Sequence, residues 1–471
     1  MAELTLSAAQ RAIYRRYASL ALPRHTSYPV VPVWRTTFGP SDLRAALARS
    51  RQHSRPLSLY VHIPFCERLC YYCACTREIV PNARRQQNDP VPNLLAGLQR
   101  EVGYLVDILG EPEVRHLHLG GGSPTFLTPQ QLEQLWNILT RYFQPTSDAE
   151  IALEIDPRIT TLEQLRLLRQ LGFNRVSLGI QDFDATVQQA VNRLQSFDLV
   201  ERVVGWCREL GFVSINFDLI YGLPFQTLAS MSDTLDKTLA LQPDRIAFFR
   251  LAVIPEIFRW QNTFRDVDLP EGDLALDLNL LAINRFTEAG YEFIGLDHFA
   301  RPTDPLAQAA RQGTLQRNFQ GMTTGKSLDL IGLGPSAISG LDDAFAQNHK
   351  DSADWYRAVA TDLPTSRGLA LSAEDRLRRE LLQQLYGHGQ ICAADLEQRF
   401  DICFAEHFAS ELANLQELAE EGLVEIDPRG VRLTPLLGRL LVRVVAAVFD
   451  AYLPPGTYRN GLPATLASKV G

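Results

Sequence analysis

Four cysteines fall within ten residues of this chain, in CERLCYYCAC at 66–75, and only three more occur among its 471 residues. Cys66, Cys70 and Cys73 form a CxxxCxxC spacing directly after the β-rich run SLYVHIPF. Three thiolates so close together can hold three irons of a cubane 4Fe–4S cluster and leave the fourth iron open to an exogenous molecule. A structural zinc site is the alternative, but it usually draws on two CxxC pairs or on downstream histidines. No second pair exists here: Cys207 falls in a helical pattern, and Cys392 and Cys403 lie near the C-terminal end. Two further stretches could serve chemistry. The backbone of GGGSP (120–124) can approach a ligand where side chains would obstruct it. Glu154, in LEIDP, puts a carboxylate at the end of an apolar run.

These residues need elements to position them. From residue 57 the chain alternates short β-rich runs with longer amphipathic stretches. Strands are expected at 57–63, 114–120, 150–156, 175–181, 214–222, 245–252 and 292–300. Helical patterns such as NLLAGLQREVGYLVDILG, TPQQLEQLWNILTRYF and LVERVVGWCRELG separate them, the last ending in Gly as a helix should. This alternation predicts right-handed βαβ units around a parallel sheet. Their number suits an α/β fold of the partial or full barrel kind. Barrel enzymes place chemistry at the carboxyl ends of strands, where HIPFCERLC, HLGGGSP, EIDP, GIQDF and DLIYGLP all sit. The expected division is an N-terminal segment at 1–50, a barrel at 51–355 and a mostly helical domain at 356–471. In the last, three helical patterns followed by VEI-DPRG-VRL resemble a winged helix. ELANLQELAEEGLVEID is acidic, which favours a packing or lid role over nucleic-acid binding.

The composition excludes other classes. Hydrophobic residues make up 46% and charged residues 21%, and the formal charge of −8 recommends no nucleic-acid partner. The first twenty residues lack the apolar segment of a signal peptide, and no run of about eighteen uncharged apolar residues occurs. Clustering of four among seven cysteines is wrong for a disulfide framework, so a reducing cytoplasm is expected, with no membrane partner.

CxxxCxxC after the first strand resembles the radical S-adenosylmethionine (SAM) superfamily. The stretches PRHTSYP, SLYVHIPFCERLCYYCAC, HLGGGSPT, EIDPR, GFNRVSLGIQDF, VNR, DLIYGLP, GLDHFARP, RNFQGMTT and GLGPSAIS together resemble the oxygen-independent coproporphyrinogen III oxidase family. The resemblance implies a partial (β/α)6 barrel and a 4Fe–4S cluster on Cys66, Cys70 and Cys73, with Cys75 not a ligand. It further implies two SAM molecules. Tyr60, Gly121, Gly122, Ser123, Glu154 and Ile338 match contacts of the first, and Tyr72, Gln181, Arg193, Asp218 and Ala252 match contacts of the second. Phe319 and Gln320 match positions needed for activity. Arg24 and Tyr28 fit a segment folding over the barrel mouth, where an Arg fork could face a substrate propionate. Asp156 reads as a turn cap, and the shared His298 as structural. The implied partners are a small-molecule substrate and an electron donor such as flavodoxin or ferredoxin, and the implied state is monomeric. The implied reaction converts propionates of coproporphyrinogen III to vinyl groups in haem biosynthesis.

The sequence departs from the family's pattern at Arg250, Leu251 and Val253, which stand where a run containing Tyr and His is usual, at Met322 for Tyr, and at His25 for Tyr. Polar groups are lost around the substrate end while the cluster motifs are intact. That keeps open a related methyltransferase or cyclopropanase, in which the second SAM supplies a carbon unit. A non-catalytic haem chaperone is a third reading, which Cys75 and the N-terminal motif oppose.

Overall fold

The computed structural model describes residues 4–325, 328–463 and 466–470. Its centre is a twelve-stranded sheet. Six strands carry the alternating pattern: β1 (Leu57–Ile63), β2 (Glu113–Gly121), β3 (Gln144–Ile155), β4 (Arg175–Gln181), β5 (Ser214–Tyr221) and β6 (Arg245–Arg250). They pair in sequence order and in parallel, as a (β/α)6 partial barrel requires. Along β1, Leu59, Val61 and Ile63 join the main apolar core, whereas Tyr60 is half-buried. The period of two thus separates an outer face under helices from an inner face carrying polar groups. Helix Phe197–Glu209 shows the complementary period, burying Val200, Val203, Val204 and Cys207. Its N-cap is Ser196, whose hydroxyl accepts from the Leu199 N–H.

The expected strand at 292–300 is a hairpin: β7 (Glu292–Gly295) and β8 (His298–Ala300) run antiparallel on the β6 edge. The chain reverses at Leu296, whose φ is +50°. At the other edge β9 (Leu330–Leu333) lies parallel to β1, and β10 (Ile338–Gly340), β11 (Ala344–Asn348) and β12 (Thr365–Ala370) follow antiparallel. The sheet therefore continues past residue 355, and the C-terminal helices begin at Ala373. The N-terminal fifty residues are also shared between two bodies. Helix Pro40–Gln52 lays Leu43, Ala46 and Leu47 into the barrel core, while Tyr14 and Tyr17 of helix Ala8–Ala18 pack into the C-terminal core.

Helices Ala373–His388, Ala393–Phe400 and Ala409–Glu420 accompany a small sheet in which Gln390–Cys392, after the first helix, pairs with the closing hairpin Val424–Asp427 and Gly430–Leu433, a winged-helix-like arrangement. A short hairpin, Gln316–Asn318 with Gly321–Thr323, lies against this domain: Gln383 bonds both the N–H and the carbonyl of Arg317. Among the described residues no helix is long and apolar enough to cross a membrane.

Candidate active site

The carboxyl ends of β1 to β6 surround a cavity of about 460 Å³. Cys66, Cys70, Cys73 and Cys75 line one wall, and Gly121, Gly122, Ser123, Glu154, Gln181, Arg193, Asp218 and Tyr72 line the rest. Residues separated by up to 152 positions in sequence thus meet because parallel strands end on the same side.

The cysteine loop and the glycine loop are locked together. The Gly122 N–H donates to the Ile63 carbonyl at 2.7 Å and the Ser123 N–H to the Phe65 carbonyl at 2.9 Å. A Cβ on Gly122 would come within 2.7 Å of the Phe65 oxygen, so only glycine permits this approach. Cys70 is buried, Cys66 and Cys73 are half-buried and Cys75 is exposed. Burial pushes the Cys66 thiol up to about 12, and a hydrogen bond from Cys75 holds Cys73 down at about 6. Two guanidinium groups face Cys70: Arg158 Nη2 lies 3.6 Å and Arg193 Nη1 3.7 Å from its sulfur. Among the described residues no three His, Cys, Asp or Glu side chains converge on a point as a single-ion site would need. Three thiols sharing one cavity, with cations beside them, suit separate corners of an anionic iron–sulfur cluster.

Asp156 does more than cap a turn. It pairs with Arg158 at 2.6 Å and with Arg193 at 3.4 Å, and although burial opposes ionisation, these guanidinium groups hold its carboxyl well below the usual range. Arg193 also donates Nη2 to the Gly179 carbonyl at 2.6 Å. Its ion-pair partner is thus Asp156, in the cavity wall, and not Asp218. A register shift between Gly179 and Gln181 puts a bulge at the end of β4, and Gln181 takes a φ of +68°. Asp218 accepts from Ser177 at 3.0 Å and from Asn216 at 2.9 Å, and burial followed by the Glu154 charge raises it to about 6. Glu154 accepts from the Gly121 N–H at 3.3 Å and lies 3.2 Å from His118 Nε2.

Other expected residues lie off this cavity. Tyr60 stacks on His118 at 5.9 Å, its hydroxyl 3.0 Å from His62 Nδ1. The Ala252 carbonyl accepts from Gln261, which also reaches the Tyr72 carbonyl, so the chain after β6 is tied to the cysteine loop. Ile338 and Phe319 pack with Trp34 and Phe345 at the far edge of the sheet. Gln320 lines a second chamber, of about 180 Å³, inside the barrel; that chamber shares Glu154, Ser177, Asp218 and Phe249 with the first cavity. His298 also lines it, and burial with nearby Arg317 lowers the imidazole to about 3, so it is neutral. Arg24 donates to the Arg250 carbonyl at 3.4 Å, while Tyr28 is buried, its hydroxyl accepting from the Ala451 N–H.

Of the departures from pattern, Leu251, Met322 and His25 are absorbed by packing. Leu251 is buried with Val187, Val191, Ile220 and Leu223, beside Tyr72. Met322 is buried opposite Arg317 in the short hairpin, and Val253 is exposed. His25 faces away from the cavity, bonded to Tyr386 and Asp450 of the C-terminal domain at 3.0 Å each. Sequence reasoning missed Arg158, which stands in the quoted EIDPR motif, and Ser177, at an inward position of β4. It also missed Trp260, whose indole donates to the Cys73 carbonyl at 3.1 Å from a loop without any pattern.

Residues 60–238 match the Radical SAM superfamily and residues 371–441 match the HemN C-terminal domain. The oxygen-independent coproporphyrinogen III oxidase of Pseudomonas aeruginosa is 44% identical over 446 residues, which cover 94% of this chain and 95% of that protein. The protein of the same name from Escherichia coli K12 is 43% identical over 432 residues, covering 92% and 93%. The solved structure of coproporphyrinogen III oxidase from Escherichia coli superimposes with a TM-score of 0.87 at 41% identity, over 92% of this chain and all of that one.

Proposed function

The chain belongs to the oxygen-independent coproporphyrinogen III oxidase family of radical SAM enzymes, and we propose that it converts two propionates of coproporphyrinogen III to vinyl groups in haem biosynthesis. The observation that carries this reading is the match along nearly the whole length of its relatives, C-terminal domain included. When bound, a 4Fe–4S cluster and SAM supply a carbon radical able to take a hydrogen atom from the substrate. The propionate β-carbon gives up that hydrogen, the carboxylate leaves as CO₂, and one electron passes to an acceptor.

The chain's own residues hold and enclose these components. Cys66, Cys70 and Cys73 would ligate the cluster, with Arg158 and Arg193 balancing its charge. Glu154 and the glycine loop 121–123 offer a carboxylate and bare backbone to the first SAM, with Tyr60 and Ile338 as further contacts. Tyr72, Gln181, Arg193, Asp218 and Ala252 are proposed for the second. Gln320, in the chamber joined to the cavity by Glu154 and Asp218, is proposed to touch substrate, and Phe319 and Arg24 are proposed as further substrate-side residues. Exclusion of water falls to the N-terminal segment and the short hairpin. A flavodoxin- or ferredoxin-like donor, a cytoplasmic location and a monomeric state belong to this reading. The carbon-transfer alternative is less favoured, because the full-length relatives are oxidases and the altered end of β6 is packed rather than opened.

The test is to reconstitute the cluster anaerobically and add reductant, SAM and coproporphyrinogen III, following products by mass spectrometry. Stepwise loss of CO₂ and two hydrogens is expected. Deoxyadenosine formation with unchanged porphyrinogen would reject the substrate. Cys66→Ala is expected to abolish both cluster absorbance and SAM cleavage.

A further inference from the structure

Arg317 is 5% exposed, and its Nε and Nη1 have no hydrogen-bond partner. A buried guanidinium left this way is costly, because it gives up hydration without gaining acceptors. The fold nevertheless holds it firmly. Its backbone is clamped on both sides by Gln383, and its Cζ lies 5.5 Å from the centre of the Tyr386 ring. Tyr386 is itself fixed by His25 of the N-terminal segment. Arg24 and Arg443 act with Arg317 on Tyr386, against Asp450 on the same ring and Asp297, the carboxylate that acts on Arg317. Asp297 does not quench it, since Asp297 Oδ2 is also unbonded.

Arg317 borders a side cavity of about 120 Å³ together with Ser27, Tyr28, Phe319 and Gln383. That cavity shares His116 and Thr323 with the chamber inside the barrel. The space is of the size of a short carboxylate arm. A guanidinium N–H donates a charge-assisted hydrogen bond to a carboxylate oxygen.

We propose that Arg317 anchors a substrate carboxylate, a propionate arm of the tetrapyrrole, and so sets which arm reaches the reacting end of the barrel. This rests on the coproporphyrinogen reading above. Arg317 acts as a positioning residue: it holds a carboxylate that stays on the molecule while another is removed. Asp297, on the same side, disfavours a carboxylate arriving unpaired, and Arg317 overcomes that repulsion.

The experiment measures binding of coproporphyrin III and of its tetramethyl ester to the reconstituted holoenzyme by fluorescence, alongside steady-state turnover of coproporphyrinogen III. Arg317→Gln should weaken the tetra-acid by about 10- to 100-fold, leave the ester unchanged and raise KM more than it lowers kcat. Arg317→Lys, which keeps the charge but not the guanidinium's reach, should recover part of the loss, and it serves if the Gln variant does not fold. Asp297→Asn should bind the tetra-acid as tightly as the parent or more tightly. Equal losses for acid and ester, or no loss, would overturn the anchor. So would an Asp297→Asn loss matching Arg317→Gln, which would assign Arg317 to Asp297. A parent enzyme that turns over coproporphyrinogen beside an unaffected Arg317→Gln variant rejects the anchor alone; a parent enzyme inert towards coproporphyrinogen rejects both readings.

Discussion

Asp156 and Asp218 are carboxylates at the ends of strands two apart, and their surroundings drive them in opposite directions. Arg193 and Arg158 hold Asp156 ionised. Asp218 has only neutral donors and the repelling Glu154, and so rises from 3.8 to about 6. Between about pH 4 and 6 the folded chain keeps a proton on Asp218 that the unfolded chain has released. Stability contributed by this group is therefore complete below pH 4 and falls as pH rises through 6, by up to about 3 kcal/mol. Asp218→Asn should gain stability relative to the parent at pH 7.5 but not at pH 3.5, as read by urea midpoints, while losing turnover. Equal shifts at the two pH values would contradict a burial penalty. Arg193→Ala is expected to keep iron content and lose turnover, at a cost of about 2–3 kcal/mol, since Asp156 retains Arg158. An unchanged rate would remove Arg193 from the proposed second SAM contacts.

At the scale of elements, the site depends on loops whose backbones interlock. The pair Gly122 N–H to Ile63 and Ser123 N–H to Phe65 joins the end of β2 to the cysteine loop after β1. Gly122→Ala must move backbone, because the obstruction is the Phe65 carbonyl and not a flexible side chain. Such overpacking typically costs about 1–3 kcal/mol. The expected result is a lowered melting temperature with iron lost faster to a chelator, whereas Gly205→Ala, inside a helix with nothing within 4 Å, should raise the melting temperature slightly and leave iron loss unchanged. The strands around these loops were legible because apolar and polar residues alternate: Leu59, Val61 and Ile63 against Tyr60 and His62. The hairpin at 292–300 was not, since EFIGLDHFA reads as one β-rich run and the reversal places Leu296, not a residue that favours it, at a φ of +50°. The strands after residue 330 are short and antiparallel, and GLGPSAIS reads as a motif before it reads as β structure.

At the scale of the whole molecule, the two chain ends are fastened to each other. Arg443 is 3% exposed and donates to the carbonyls of Leu22, Pro23, Ser468 and Lys469. These acceptors come from both termini, and the segment they hold carries Arg24, His25 and Tyr28. Arg443→Met should leave several carbonyls without donors and cost roughly 3–5 kcal/mol. Its signature is early proteolytic cleavage within residues 15–24 under native conditions, with cluster absorbance retained. Cleavage no faster than in the parent would show that the segment is held by other contacts. Arg443 thus ties the C-terminal domain to the N-terminal segment.

The sequence by itself determined the CxxxCxxC spacing and the barrel, because those features rest on local spacing and on a strand period; most of the cavity wall was named by family resemblance. Cys66, Cys70 and Cys73 lie within eight residues, and Glu154, Gln181 and Asp218 each sit at or near the end of a β-rich run. Only the tertiary structure decided who partners whom. Arg193 answers Asp156, His25 turns to Tyr386 and Asp450, Trp260 reaches the Cys73 carbonyl, and Arg317 is left buried with Nε and Nη1 unpartnered. The physical reason is that hydrogen bonds and ion pairs are decided over a few ångströms, between residues up to 450 positions apart, and no one-dimensional pattern records where such chains cross.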